Sequence, residues 1–276
     1  MSVLSHQPVV AALQMTSVAE VAENLATAER LLREAADRGA CVAVLPENFA
    51  LMGLRDADKL AVAETPGAGP IQDRLAGLAA ELGLWVIAGT MPLKLPGERR
   101  VGASSLVFDA AGRCVARYDK IHLFDVDVPG RSESHRESTN IAPGSTVVTV
   151  ETPAGRVGLS VCYDIRFPEL YRRMSAEGAS WFVVPAAFTV PTGRAHWELL
   201  LRARAVENLA FMVAPGQFGV HPSGRETWGD SMIVDHWGVI LARQPSGEGV
   251  ITASFDLAAQ SKAREVFPAL QHRRLS

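Results

Sequence analysis

Short runs of β-favouring apolar residues alternate with amphipathic stretches along nearly the whole chain. Residues 8–13 read as a strand, and 18–36 carry the period of a helix with Leu25, Leu31 and Leu32 on its inner side. The run 41–45 reads as a buried strand that stops at Pro46-Glu47, and 71–82 as a second helix followed by a strand at 84–88. Strands at 104–108 and 114–118 flank Ala111-Gly112, the pattern of a hairpin. Residues 129–140, the least apolar segment, read as a surface loop. Two strands, 147–150 and 157–161, join around Pro153-Ala154-Gly155. A helix from 168, a strand at 181–184, a helix at 193–208 and a strand at 211–214 follow. Strands near 232–234, 239–242 and 250–255 close the series.

No linker composition divides this order, and no fixed-period repeat interrupts it. Strands outnumber helices, and βα alternation mixes with hairpins. The pattern predicts a single α/β domain over residues 1–276, with more than one sheet or one large mixed sheet, rather than a doubly wound fold. Of the 276 residues, 48% are apolar, which is ample material for a core. A chain of this size hides roughly three quarters of the surface that its unfolded form exposes.

Charge and cysteine usage narrow the function classes. Twenty-seven basic residues against 30 acidic ones give a net charge of -3, so there is no positive field to collect nucleic acid. Cys41, Cys114 and Cys162 form no CxxC pair, which argues against a disulfide framework or zinc knuckle and fits a reducing compartment. No lysine or arginine precedes Arg30, and the longest uncharged apolar stretch, 178–193, is broken by Pro185 and Pro191. A cytoplasmic protein without membrane partners is expected. Gly67-Ala68-Gly69 continues to Gln72 where a dinucleotide loop needs glycine, and no GxxxxGK[ST] occurs, so no nucleotide cofactor is expected. The histidines form no HExxH, and no metal is expected. Only four basic residues are lysines, Lys59, Lys94, Lys120 and Lys262. That drift toward arginine makes each lysine worth locating.

Three residues at strand ends carry candidate chemistry. Glu47 follows the buried run 41–45, at the edge where α/β proteins build sites; the plainer reading is an exposed turn glutamate. Lys120 leads into the apolar Ile121-His122-Leu123-Phe124 and must snorkel, pair or be functional. Cys162 ends a strand on whose face Gly158 and Ser160 leave room for something to approach. Pro168 and Glu169 read as a helix start just beyond, whose dipole would lower the thiol pKa; a buried structural cysteine is the other reading.

Leu45-Pro46-Glu47-Asn48-Phe49, Tyr118-Asp119-Lys120-Ile121-His122-Leu123-Phe124-Asp125 and the segment 158–170 around Cys162-Tyr163-Asp164-Ile165-Arg166 together resemble the nitrilase superfamily of carbon–nitrogen hydrolases. The three motifs stand in that family's order and approximate spacing, and the resemblance runs over nearly the whole chain. It implies an αββα sandwich, two mixed sheets flanked by helices, and a Glu-Lys-Cys triad of Glu47, Lys120 and Cys162. It also implies a supporting glutamate, a position that Glu137 matches, and a homodimer or larger homo-oligomer. In such a site Glu47 would take the thiol proton, Cys162 would attack an amide carbon, and Lys120 with the backbone N–H of Tyr163 would hold the oxyanion. A papain-like pair of Cys162 with His122 is a weaker reading, as is a metal held by His122, Asp125 and Asp127.

Later segments narrow the resemblance. Residues 124–130, 192–198, 201–207 and 271–274 are similar to the branch containing deaminated glutathione amidases and the ω-amidases that act on α-ketoglutaramate. The arginine-rich 201–205, the ending Gln271-His272-Arg273-Arg274, and Gln217-Phe218-Gly219 favour the former. Asp230 and His236 depart from that branch, which has histidine and proline there. A keto-acid amide needs a cationic anchor. The resemblance offers Arg166, with Phe188 and Thr192 at other ligand-contacting positions. Alternatively, Arg166 is a helix-start arginine paired with Glu169 or Asp164. The reaction implied is hydrolysis of a non-peptide-type amide of a small molecule, foremost deaminated glutathione, through a cysteine thioester. Alternatives are α-ketoglutaramate or simple aliphatic amides, then nitriles or N-carbamoyl compounds, and from another class a non-catalytic binding member of the fold.

Overall fold

A computed structural model describes residues 7–127 and 134–275. In chain order the first half holds β1 (Val9–Gln14), α1 (Val21–Asp37), β2 (Val42–Val44), α2 (Asp58–Ala61), α3 (Pro70–Leu82), β3 (Trp85–Ile87), β4 (Met91–Lys94), β5 (Val101–Phe108), β6 (Cys114–Asp119), β7 (Asp125–Asp127) and β8 (Ser134–Arg136). Then come β9 (Thr149–Thr152), β10 (Gly155–Leu159), α4 (Pro168–Ala176), β11 (Trp181–Val183), α5 (Val190–Asn208) and β12 (Phe211–Ala214). The remainder is β13 (Phe218–Val220), β14 (Glu226–Trp228), β15 (Ser231–Val234), β16 (Ile240–Gln244), β17 (Gly249–Ser254) and α6 (Leu257–Val266).

These strands build two main mixed sheets. One runs β17-β1-β2-β3-β5-β4, with β6 also paired to β5; the other runs β16-β15-β12-β11-β10-β9. Strand alternation decides the layering. Val10, Ala12, Val42, Val44 and Ile87 share a buried cluster with Val157, Leu159 and Val161 of the second sheet. Their neighbours Ala11, Leu13, Ala43, Leu45, Val86 and Ala88 face the other way and pack with Leu31, Leu32, Ile71 and Leu75 of α1 and α3. On the far side of the second sheet, Met174 of α4 would lie 2.6 Å from a Cβ added to Gly158. The layers therefore run helix, sheet, sheet, helix, the αββα sandwich that the resemblance implies.

The hairpin of β5 and β6 forms as the turn residues predict, and α3 opens on Pro70 and closes on a left-handed Gly83. Strand β10 stops at Leu159, two residues short of the expected end, because Val161 is drawn into the turn that follows. Leu25 packs against the same buried cluster as Leu31 and Leu32 but stays partly exposed, and Asn24 beside it is buried, bonding the backbone of Val18 and Ala50. Cys114 is exposed and Cys41 half-buried, so neither is a core residue although both lie in or beside expected strands. Cys114 opens an outer strand, where no layer covers it. The expected loop at 129–140 contains β8 and a 3-10 turn at Glu137–Thr139. Its residues 129–133, with Pro129-Gly130 of the motif at 124–130, lie outside the described residues. Among the described residues no helix is long and apolar enough to cross a membrane.

Two glycines allow the first sheet's strand ends to close on each other. Gly89, at φ 37°, lies so near the chain before Glu47 that an added Cβ would sit 1.9 Å from the Pro46 oxygen. Gly144 lies equally close to the chain before Lys120, where an added Cβ would be 2.1 Å from the Asp119 oxygen. Gly77, on α3, has nothing within 4 Å of a would-be Cβ. Gly89→Ala is expected to destabilise the protein by about 3 kcal/mol or more through backbone clash and a positive φ. Gly77→Ala should stabilise it by about 0.5–1 kcal/mol through helix propensity. Thermal melts of both variants beside the parent read the opposite signs.

Candidate active site

Direction in the first sheet gathers the candidate residues. Strands β2 and β3 are parallel, β3 and β5 antiparallel, and β5 and β6 antiparallel, so β6 again points the way of β2. The chain leaving β2 carries Glu47, and the chain leaving β6 carries Lys120. In the second sheet, β10 and β11 are parallel and release Cys162 and Ala187 beyond their C-terminal ends. Four strand ends thus deliver four groups to one place, as the strand-edge argument expects.

Lys120 is the hub. Its side chain is 2% exposed, and Nζ donates to Glu47 Oε1 at 2.8 Å and to Glu137 Oε1 and Oε2 at 3.1 and 2.8 Å. Burial alone would strip its proton, but Glu137 and Glu47 outweigh burial and raise its pKa well above the ordinary lysine value. Burial also pushes Glu137 up, yet the charges of Lys120 and Lys59 and the Phe124 N–H hold it below the ordinary carboxylate value. That N–H donates to Glu137 Oε2 at 2.8 Å, which fixes the start of the loop after Lys120. The other Glu47 oxygen, Oε2, accepts the Ala187 N–H at 2.8 Å, and the Glu47 carbonyl accepts Gln217 Nε2 at 3.0 Å. Both sheets therefore grip Glu47, which is 3% exposed and not a turn glutamate at the surface.

Cys162 opens a short 3-10 turn, Cys162–Arg166, at φ 48°. A left-handed cysteine is held against about 1–3 kcal/mol of backbone strain. The Cys162 N–H to Pro185 carbonyl bond, 2.9 Å, and the Asp164 carboxylate help hold it there. Asp164, fully buried, accepts the Val161 N–H at 2.8 Å, the Tyr118 hydroxyl at 2.7 Å and the His122 N–H at 3.0 Å. The expected depression of the thiol pKa is not found. Burial, then the adjacent Glu47 carboxylate, push Cys162 well above the ordinary thiol value, against the smaller pull of Lys120. The helix whose dipole was invoked, α4, begins six residues later at Pro168.

A cleft of about 620 Å³, counted to its open mouth, reaches Cys162. Glu47, Lys120, Glu137, Tyr163, Phe188 and Thr192 all line it. Arg166 is not among the lining residues; its guanidinium lies 5.8 Å from the Tyr163 ring centre and 5.5 Å from that of Phe188, both of which line the cleft. It contacts His196 at 3.3 Å and makes no ion pair with Glu169 or Asp164. His122 is turned from the thiol: Nδ1 is 2.7 Å from Asp164, and the ring stacks on Phe167. Asp125 accepts the Ser138 N–H and Asp127 pairs with Arg136, in the ladder of β7 and β8. Asp230 pairs with Arg243, remote from the cleft.

Three residues to which the sequence reading gave no role also meet here. Gln217 secures the Glu47 backbone. Lys59 and Arg225 line the cleft itself. Lys59 lies on the short, mostly exposed helix α2, and Arg225 in the turn between β13 and β14, neither of which has an apolar run to announce it. A buried amide with two partners, or a lysine where arginine dominates, was the available signal.

Comparison with known proteins identifies the family. The carbon–nitrogen hydrolase family model matches residues 9–265. The chain is 40% identical to a deaminated glutathione amidase of Yersinia enterocolitica, over 96% of this chain and 92% of that relative. It is 42% identical to a protein of the same name from Synechocystis, over 95% of this chain and 97% of that one. A Saccharomyces cerevisiae structure, a member of branch 10 of the nitrilase superfamily, superposes with a TM-score of 0.88 at 28% identity, covering 100% of this chain and 99% of that one. The chain belongs to the carbon–nitrogen hydrolase family.

Proposed function

We propose that the protein is an amidase that hydrolyses deaminated glutathione through a thioester on Cys162. The observation that carries this reading is the buried Lys120 ammonium, held 2.8 Å from Glu47 beside the thiol at the floor of the cleft. The choice of substrate is supported by relatives of that name at 40% and 42% identity over nearly the whole chain.

A thiol held above its ordinary pKa is protonated at neutral pH, so it needs a base at the moment of attack. Glu47 is placed for that. It takes the proton as Sγ bonds to the amide carbon, and the carbonyl electrons move onto oxygen. Lys120 Nζ and the Tyr163 N–H stabilise that oxyanion. Glu47 returns the proton to nitrogen as the C–N bond breaks and the amine leaves. It then deprotonates water, which attacks the thioester carbon; the sulfur leaves and is reprotonated. Glu137 keeps Lys120 charged and fixed throughout. For the keto-acid carboxylate we assign Arg166, with Phe188 and Thr192 shaping the pocket. Among the described residues the guanidinium has no carboxylate partner, and it rests on the rings of Tyr163 and Phe188, both of which line the cleft.

The three free cysteines support a reducing, cytoplasmic setting. Self-association through the outer face of α5 is supported by Leu199, Val206 and Trp237, exposed at 68%, 49% and 57% on one side of the molecule. Light scattering of the purified protein is expected to give a dimer mass or a multiple of it; a monomer at micromolar concentration removes this surface from consideration.

Cys162→Ala is expected to abolish release of the amine while leaving the melting temperature within a few degrees of the parent. An active Cys162→Ala protein overturns the mechanism. Against deaminated glutathione, α-ketoglutaramate, simple aliphatic amides and nitriles, kcat/KM should be highest for the first. Arg166→Lys should raise KM for both keto-acid amides about tenfold, since the planar fork and its stacking are lost, and leave simple amides little changed. Equal KM values in parent and variant would take Arg166 out of substrate binding.

A further inference from the structure

The cleft contains more positive charge than the proposed chemistry uses. Lys120 is committed to Glu47 and Glu137, and Arg136, at the rim, is paired with Asp127. Lys59 and Arg225 are different. Lys59 reaches the cleft from α2, on the first sheet's side, and is half-buried, with no hydrogen bond or ion pair among the described residues. Arg225 arrives from the turn of the separate two-stranded β13–β14 ribbon. It donates one bond, Nη2 to the Ala187 carbonyl at 2.8 Å, and its buried Nε–H has no partner. Asp56 also lines the cleft, but it is solvent-exposed and pairs with neither cation.

Two like charges from separate segments thus line one cavity, one carrying an orphaned donor. A buried guanidinium N–H without an acceptor costs free energy, and so does an ammonium brought out of bulk water. Burial pulls Lys59 below the ordinary lysine pKa, Arg225 adds to that pull, and the surrounding carboxylates offset it only in part. An anion between the two groups would meet every one of these deficits at once. The carbonyl of a neutral amide chain would accept one hydrogen bond but leave both charges uncompensated.

We propose that Lys59 and Arg225 form a carboxylate-binding subsite that holds a carboxylate of the amide substrate while its amide carbon lies at Cys162. The inference rests on the reading of this cleft as an amidase site and adds to it a second anionic anchor besides Arg166. Deaminated glutathione carries a carboxylate on its acyl side and another on its amine side. Two anionic ends and two cationic sites match in number. A substrate with a single carboxylate would leave one cationic site unoccupied.

The test compares the parent, Lys59→Met and Lys59→Arg on four amides: deaminated glutathione, its analogue with the amine-side carboxylate amidated, α-ketoglutaramate and a neutral aliphatic amide. The quantity read is kcat/KM on each charged substrate divided by that on the neutral amide, which removes any general effect of Lys59 on its neighbour Glu137. In Lys59→Met the ratio for deaminated glutathione should fall about ten- to hundredfold, through KM, as for a lost charged hydrogen bond. Lys59→Arg should restore most of it. If the amine-side carboxylate is the one held, the amidated analogue loses the effect and α-ketoglutaramate never shows it. If it is the acyl-side carboxylate, both show it. An unchanged ratio for deaminated glutathione overturns the subsite. Should the parent hydrolyse neutral amides but not deaminated glutathione, the substrate assignment fails separately. The subsite is then read from glutarate as inhibitor of neutral-amide turnover: its inhibition constant rises about tenfold in Lys59→Met if the pair binds carboxylates, and an equal constant overturns the proposal.

Discussion

A lysine ammonium with 2% of its side chain exposed is a severe demand on a fold, and Lys120 sets that demand at the centre of this one. A buried ion is destabilising by several kcal/mol unless charge and hydrogen bonds meet it. Here two carboxylates do so, and each is tied to something else. Glu47 holds the second sheet through the Ala187 N–H, and Glu137 holds the loop after Lys120 through the Phe124 N–H. Loss of either carboxylate would therefore leave the buried ammonium with one ionic partner instead of two, and would also release a backbone segment that lines the cleft. Precision at the site and cohesion between the sheet ends come from the same three side chains.

The charge balance also decides when sulfur becomes reactive. Lys120 is fully charged, but its field is spent on the two carboxylates, and the Glu47 charge next to the thiol opposes ionisation. The resting state is then a protonated thiol beside a base, not a stored thiolate. In the proposed reaction a thiol of that kind resists oxidation and stray alkylation until a polarised carbonyl carbon accepts the sulfur electron pair while Glu47 takes the proton. The strained backbone at Cys162 and the left-handed Asn48 just after Glu47 aim both groups without relying on flexible side chains.

Much of this was legible in the chain. The alternation at Val10, Ala11, Ala12 and Leu13 separates the inter-sheet face from the helix face, and the abrupt ends at Pro46-Glu47 and Asp119-Lys120 mark where strands stop and side chains take up other tasks. The motif resemblance drew Glu137 in, although nothing in its local pattern distinguishes it. Other features were not legible, for physical reasons. The thiol pKa depends on which charge lies nearer the sulfur, and a strand-then-helix pattern says nothing about a carboxylate from 115 positions upstream. Strands β13 and β14 are three residues each and half-exposed, so no hydrophobic run marks them. Helix α6 follows a strand so closely that only the Asp256 cap, which accepts the Ala259 N–H, signals the switch. Lys59 lies on a single helical turn without a buried residue, and only the folded cleft gives it meaning.

The pairing at one border of the first sheet carries a consequence for how the chain is made. Strand β1 lies between β2 and β17, with Val9 opposite Ser254 and Gln14 opposite Gly249. One side of β1 is thus satisfied by a strand that is synthesised long after it. At ordinary elongation rates the intervening chain takes roughly 10–50 s to emerge. During that interval the backbone donors and acceptors along one edge of β1 are open to any other strand, including the same strand of a neighbouring nascent chain. Synthesis of this fold is therefore exposed to mispairing from the emergence of β1 to that of β17, and holding that edge unpaired during translation is a natural task for a chaperone.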